Sequence, residues 1–169
     1  MSVEWFKNFV GFKLDDAQMK HIPNPTLELM LHVTIKNIQA FGMMGTLLVG
    51  PIAAIVQRAS RNIGAIVVSA TRCGKWGATI SIITGPLMTY GRLSTAKVAP
   101  EGIYDRCYRL RNNCGQVRVD RASVAGAVGG TAIASAVGSC MLFGGLAGMS
   151  AGIIAMAVYN STIEKKKKN

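Results

Sequence analysis

The sequence predicts an all-α fold in which four short, glycine-rich helices form an integral membrane bundle. Three observations predict it. Half of the 169 residues are apolar. Charge-free tracts recur, the longest running from Ala122 to Ile163. Small residues repeat every fourth position inside those tracts: Gly126, Gly130, Ala134 and Gly138 form one row, and Gly144, Gly148 and Gly152 another. Residues four apart share a helix face, so each row is a smooth groove. In lipid such grooves let helix backbones approach closely where apolar attraction alone cannot drive association.

The elements follow in order. Residues 1–36 read as an interfacial or partly ordered segment, with Trp5, Phe6, Phe9, Val10 and Phe12 giving it an aromatic start suited to a membrane interface or a partner. A bilayer core of about 30 Å needs about 20 helical residues. Residues 37–57 supply them between Lys36 and Arg58, with Gly42, Thr46, Gly50 and Ala54 in a ladder and Pro51 as an expected kink. The second span is placed at 73–91, where Cys73, Gly77, Ser81 and Gly85 continue the pattern and Pro86 marks another kink. A register over 62–81 is disfavoured because it buries Arg72 and Lys75. Residues 92–121 are too charged to span and read as a polar loop with a short helix near 104–111. The final tract is about two bilayers long as one helix. It is therefore divided into spans at 122–141 and 143–160, turning at Gly144-Gly145. Residues 161–169 form a lysine-rich tail. The four-helix membrane domain is thus 37–160.

Net charge is +11. By region it is near zero over 1–36, +4 over 58–75, +4 over 92–121 and +3 in the tail. An even number of spans puts both termini and the central loop on one side, and the positive-inside rule favours the cytoplasmic or matrix side for them. The apolar tracts and the lack of recognition motifs argue against nucleic acid as a partner.

Candidate functional residues are sparse. The helix-packing set comprises Gly42, Gly50, Gly77, Gly85, Gly126, Gly130, Gly138, Gly144, Gly148 and Gly152. Arg58, Arg61, Arg72 and Lys75 keep close to one helical face and are candidates for contact with lipid headgroups. Cys107 and Cys114 flank Asn112-Asn113, and the residues leave open whether they bridge or stand as separate thiols. His21 and His32 belong to no metal motif. No nucleophile elbow, phosphate loop or dinucleotide fingerprint is present, and no acidic residue or histidine lies inside an expected span. The expectation is a protein that is not an enzyme, with no cofactor and no metal. The terminal Lys166-Lys167-Lys168-Asn169 also fits a dilysine retrieval pattern of the endoplasmic reticulum, against the simpler reading of a solvated tail.

Ala70-Thr71-Arg72-Cys73-Gly74-Lys75-Trp76-Gly77-Ala78 resembles the entry to the second span in the mitochondrial preprotein and amino acid transporter superfamily. Tyr104-Asp105-Arg106-Cys107, then Arg118-Val119-Asp120, then Ala125-Gly126-Ala127-Val128-Gly129-Gly130 is similar in order to the superfamily signature. The spacing departs from it: Gln116 stands at the arginine position, and four residues rather than six separate Asp120 from Ala125. The resemblance covers about residues 40–160. It implies a multi-pass protein of the mitochondrial inner membrane. Within the superfamily it implies most closely a non-catalytic accessory subunit of NADH:ubiquinone oxidoreductase (complex I) in the respiratory chain. Its expected partners are other subunits of the membrane arm and an anionic lipid such as cardiolipin. The alternative it implies is a component of a preprotein translocase or a small-solute channel, where polar or acidic intramembrane residues would line a substrate groove. The complex I member's ends face the intermembrane space. That reverses the orientation read from charge and permits a bridge between Cys107 and Cys114.

Overall fold

The computed structural model describes residues 3–10, 12, 15–20, 22–57, 62–97 and 99–168. Every element among them is helical. Two short helices, α1 (Val3–Val10) and α2 (Asp16–Lys20), precede the long α3 (Pro25–Val56). Then come α4 (Ile63–Thr95), α5 (Pro100–Asn112), α6 (Cys114–Ala136) and α7 (Met141–Lys168). The starts are local. Pro25 and Pro100 open α3 and α5, where a missing N–H costs nothing. The side chains of Asn62 and Asn113 accept from the N–H of Ala65 and Gln116, capping α4 and α6.

Two antiparallel hairpins make the body, α3 with α4 and α6 with α7. The buried face of α7, with Leu146, Met149 and Ser150, joins them by packing on α3 and α4. The Val3–Val10 and Asp16–Lys20 helices, α5 and the start of α6 gather at one end. Asn160 of α7 reaches the same end, where its amide donates to the Gly115 carbonyl at 3.0 Å.

Small side chains predominate in the seams between helices, beside a few large ones such as Ile22, Leu29, Leu146 and Met149. Ala54, Ala70, Thr46, Ser81, Thr89, Ala134 and Ser150 are buried. Leu48, Ile52, Ile55, Val68, Ile83, Leu87, Val128 and Ile133 are exposed. The buried hydroxyls are satisfied within their own helices: Thr46 donates to the Gly42 carbonyl, Ser81 to Gly77, Thr89 to Gly85 and Ser150 to Leu146. This arrangement needs no water.

Several expected boundaries differ from the observed ones. The helix expected as the first span begins at Pro25 rather than at 37. Proline 51 does not end it; a π-helical turn over Gly45–Val49 widens the helix just ahead of the ring, where its clash with the Leu47 carbonyl would fall. The rival registers at 62–81 and 73–91 merge into one helix that runs unbroken through Pro86. The expected polar loop at 92–121 is largely helical, as α5 and the first turns of α6. The last turn falls at 137–140 instead of Gly144-Gly145. Gly138 adopts φ +66°, which a residue without Cβ takes freely, whereas Gly144 is already helical and donates to the Cys140 carbonyl. Among the described residues two helices, not four, are long and apolar enough to cross a membrane: Pro25–Val56 and Met141–Ile163. Arg72, Lys75 and Arg92 interrupt α4, and α6 opens on Gln116, Arg118, Asp120 and Arg121.

Candidate functional site: a buried polar junction

Glu28, His32, Lys36 and Gln39 lie along one face of α3 at steps of four, four and three. Across from them, α6 presents Asp120 and Ser123. Lys36 Nζ donates to Asp120 Oδ1 at 2.6 Å, and Gln39 Nε2 donates to the same oxygen at 2.8 Å and to Ser123 Oγ at 2.8 Å. Ser123 in turn donates to the Asp120 carbonyl. His32 Nδ1 stands 3.9 Å from Asp120 Oδ2, beyond direct hydrogen bonding.

One turn toward the α3 start, Arg111 of α5 grips Glu28. Its Nε meets Oε1 at 2.8 Å and its Nη2 meets Oε2 at 2.5 Å, a two-pronged fork, while Nη1 donates to the Met19 carbonyl. The side chains are 2% and 7% exposed, so this pair is the drier of the two. Arg121 holds Val3–Val10 through the carbonyls of Phe9 and Asn8 at 2.8 and 2.6 Å. Tyr108 donates to Asp16 at 2.8 Å, tying in Asp16–Lys20. A cavity of about 50 Å³ remains between Asn8, Phe9, His32, Leu110, Val117 and Asp120. That is room enough for water beside His32 and Asp120.

Two carboxylates facing two cations make the junction self-neutralising. It joins α3 to α5 and α6 through residues more than eighty positions apart in sequence. Among the described residues no three His, Cys, Asp or Glu side chains gather to hold a metal ion. The expectation that no acidic residue or histidine would lie inside a span fails here, because α3 extends back to Pro25 and takes Glu28, His32 and Lys36 with it. The missed signal was the polar row at helical spacing immediately ahead of the apolar tract.

The glycine rows are occupied by this chain's own backbone. A Cβ on Gly126 would overlap the Gly148 carbonyl, one on Gly130 the Gly144 carbonyl, and one on Gly152 the Ala122 carbonyl; Gly144 and Gly148 meet the reciprocal obstruction. In the first hairpin Gly50 lies on Ala70, Gly77 on the Phe41 carbonyl and Gly85 on Thr34, while Gly42 faces Met149. Two further contacts, Gly45 on Cys73 and Gly74 on Thr46, complete that seam. Gly138 is the exception in the proposed set: a Cβ there would meet nothing within 4 Å, and its place is in the turn.

Arg72 and Lys75 are exposed on α4, with Lys75 Nζ 5.8 Å from the Trp76 ring centre. Arg58, Arg61 and His21 lie outside the described residues, as do the side chains of Trp5 and of Lys166, Lys167 and Lys168.

All four cysteines are free, so the candidate bridge between Cys107 and Cys114 is not formed. Cys107 is buried with its thiol against the Pro25 carbonyl at 3.2 Å, while Cys114 is exposed at the start of the next helix. Burial pushes the Cys107 thiol up to about 11, the Glu28 carboxylate adds to the shift and Arg111 opposes it. Near pH 8 Cys107 is therefore a protonated, shielded thiol. A maleimide is expected to modify Cys114 and Cys140 readily and to leave Cys107 intact until denaturant is added. Peptide mass spectrometry that found Cys107 labelled as fast as Cys114 would contradict its placement.

Comparison with curated proteins gives no match. The family described as "Protein of unknown function (DUF1757)" matches residues 5–159, nearly the whole of both hairpins and the polar junction, and the chain belongs to that family.

Proposed function

We propose that this chain is a non-catalytic, multi-pass subunit of the mitochondrial inner membrane, an accessory component that stabilises the membrane arm of complex I by helix packing and lipid contacts. The observation that carries the membrane reading is the distribution of side chains. Small residues make up most of the helix seams and many large aliphatic ones face outward, an arrangement favoured where the surroundings are hydrocarbon. The location and the complex rest on the resemblance at residues 70–78 and 104–130.

The subunit role has a structural argument of its own. Cys140 and Leu142, at the α6–α7 turn, line one groove with Arg72 and Lys75. The α4 helix begins nine positions before Arg72, so the α3–α4 hairpin projects about 14 Å past the shorter one. That projection exposes Leu48, Val49, Ile52, Ile55, Val56 and Ile63. A neighbouring subunit is the natural cover for these apolar flanks.

The polar junction favours a second reading, a translocase component or small-solute pore, because it sets Lys36, Gln39, Asp120 and Ser123 between two long helices. Its charges are spent on each other, however, and its cavity is about 50 Å³, so packing remains the better account. Two measurements separate the readings. In digitonin extracts on native gels the chain is expected to migrate with a large NADH-oxidising assembly and to remain in the pellet after alkaline carbonate washing. Ion conductance by the purified chain in planar bilayers, with no such comigration, would favour the pore. Release by carbonate would remove both.

A further inference from the structure

The α4 helix carries two grooves of matching chemistry. The first is lined by Val67, Val68, Thr71, Arg72, Lys75 and Leu142, with a volume of about 410 Å³. The second is lined by Leu29, Val33, Met88, Leu93, Arg92 and Arg106, with about 420 Å³. Each has aliphatic walls and two exposed cations. None of the four is among the ion pairs formed between described residues.

The spacing identifies the occupant. Arg92 follows Lys75 by 17 positions and Arg72 by 20 on one continuous helix. At 1.5 Å per residue the separation is about 26–30 Å, the thickness of a bilayer's hydrocarbon core. The stretch between the cations, residues 76–91, is charge-free.

The packing register agrees with this placement. Gly50 lies on Ala70, Phe41 beside Gly77, and Thr34 on Gly85. Residues 76–91 therefore run alongside the part of α3 that holds Glu28, His32 and Lys36, not alongside all of 37–57. Those α3 charges turn inward and are neutralised by Arg111 and Asp120. This placement sets the Arg72–Lys75 and Arg92–Arg106 cations at the two headgroup planes, while pairing lowers the cost of the α3 charges between them. A single acidic partner helix would explain one cation pair, but not two apolar-walled pairs one bilayer apart.

We infer that the Arg72–Lys75 and Arg92–Arg106 grooves each hold an anionic phospholipid, one in each leaflet, with the phosphate on the cations and an acyl chain on the aliphatic walls. This rests on the membrane reading above and adds to it the two sites and the depth of the chain in the bilayer.

The test uses the full chain purified in a nonionic detergent, with phosphatidylglycerol as the probe and phosphatidylcholine and inorganic phosphate as comparisons. Native mass spectrometry is expected to find two retained phosphatidylglycerol molecules. R72Q/K75Q and R92Q/R106Q should each lose one of them, and the quadruple variant both. At roughly fivefold per cation, the apparent affinity of each altered groove should fall about thirtyfold. Helical content by circular dichroism should be unchanged, since all four side chains are exposed.

Equal retention by the variants, equal retention of phosphatidylcholine, or displacement by inorganic phosphate would overturn the proposal. So would crosslinking of Lys75 in native membranes to a protein carboxylate in place of lipid. Carbonate washing run in parallel separates the two levels. A chain that stays in the membrane while the variants bind normally sinks only the lipid sites, whereas a chain that is released sinks the membrane reading with them.

Discussion

Replacing Gly130 with valine is expected to unseat the α6–α7 hairpin at a cost of about 3 kcal/mol, the upper end for overpacking a tight contact. The obstruction is the Gly144 carbonyl, with the Gly148 Cα just behind it at 3.1 Å from the new Cβ. Backbone cannot rotate aside as a side-chain tip can, so the helices must separate and the neighbouring Gly126–Gly148 contact goes with them. Gly129 is the matched control. It is on the same helix, one residue away, and a Cβ there meets nothing within 4 Å. Gly129→Val should stay within about 1 kcal/mol of wild type, since helix propensity alone separates the residues. Thermal midpoints in detergent, together with protease cleavage at 137–140, read the difference. Equal midpoints for the two variants would show that the hairpin is looser than its backbone contacts indicate.

The second large effect is expected at the Glu28–Arg111 fork. Glu28→Gln leaves the Arg111 guanidinium buried beside an uncharged amide, and removing one partner of a buried pair costs about 3–5 kcal/mol. Arg111→Met strands the carboxylate instead and should cost a similar amount. The double variant E28M/R111M removes both charges and should recover most of the loss, because apolar residues of similar volume replace buried ion pairs with little penalty. A double-mutant cycle on chemical unfolding in mixed micelles measures the coupling. Single variants within about 1 kcal/mol of wild type would mean that the fork is open to water.

These two experiments probe different fastenings. The glycine seam holds each hairpin together through backbone contact along its length. The polar junction works across hairpins, joining α3 to α5 and α6 at one end and recruiting Val3–Val10 and Asp16–Lys20 through Arg121, Arg111 and Tyr108. Loss of the fork should therefore release the amino-terminal helices and α5 before it disturbs the α6–α7 hairpin. Such a division suits a packing subunit. One end is a latch, and the apolar flanks of the hairpins remain exposed.

The all-helical class and the small-residue seams were legible in the sequence because both depend on local periodicity. A row such as Gly126, Gly130 and Ala134 shares a face in any α-helix, whatever surrounds it. The charge-free tracts likewise mark where apolar surface must be covered. Where the chain turns was not local. Gly138 and the Gly144-Gly145 pair are equally able to bend a chain, and only the fit of Gly144 on Gly130 assigns the turn to 137–140. The polar junction lay further from reach. Glu28 and Arg111 are 83 positions apart and Gln39 and Asp120 are 81 apart, so neither side chain by itself reveals a buried partner. Treating Lys36 as the edge of a span followed from the cost of a lone charge in lipid, whereas tertiary structure gives Lys36 a partner in Asp120. Periodicity along one chain reports which faces must be buried. Register between helices decides which charges meet.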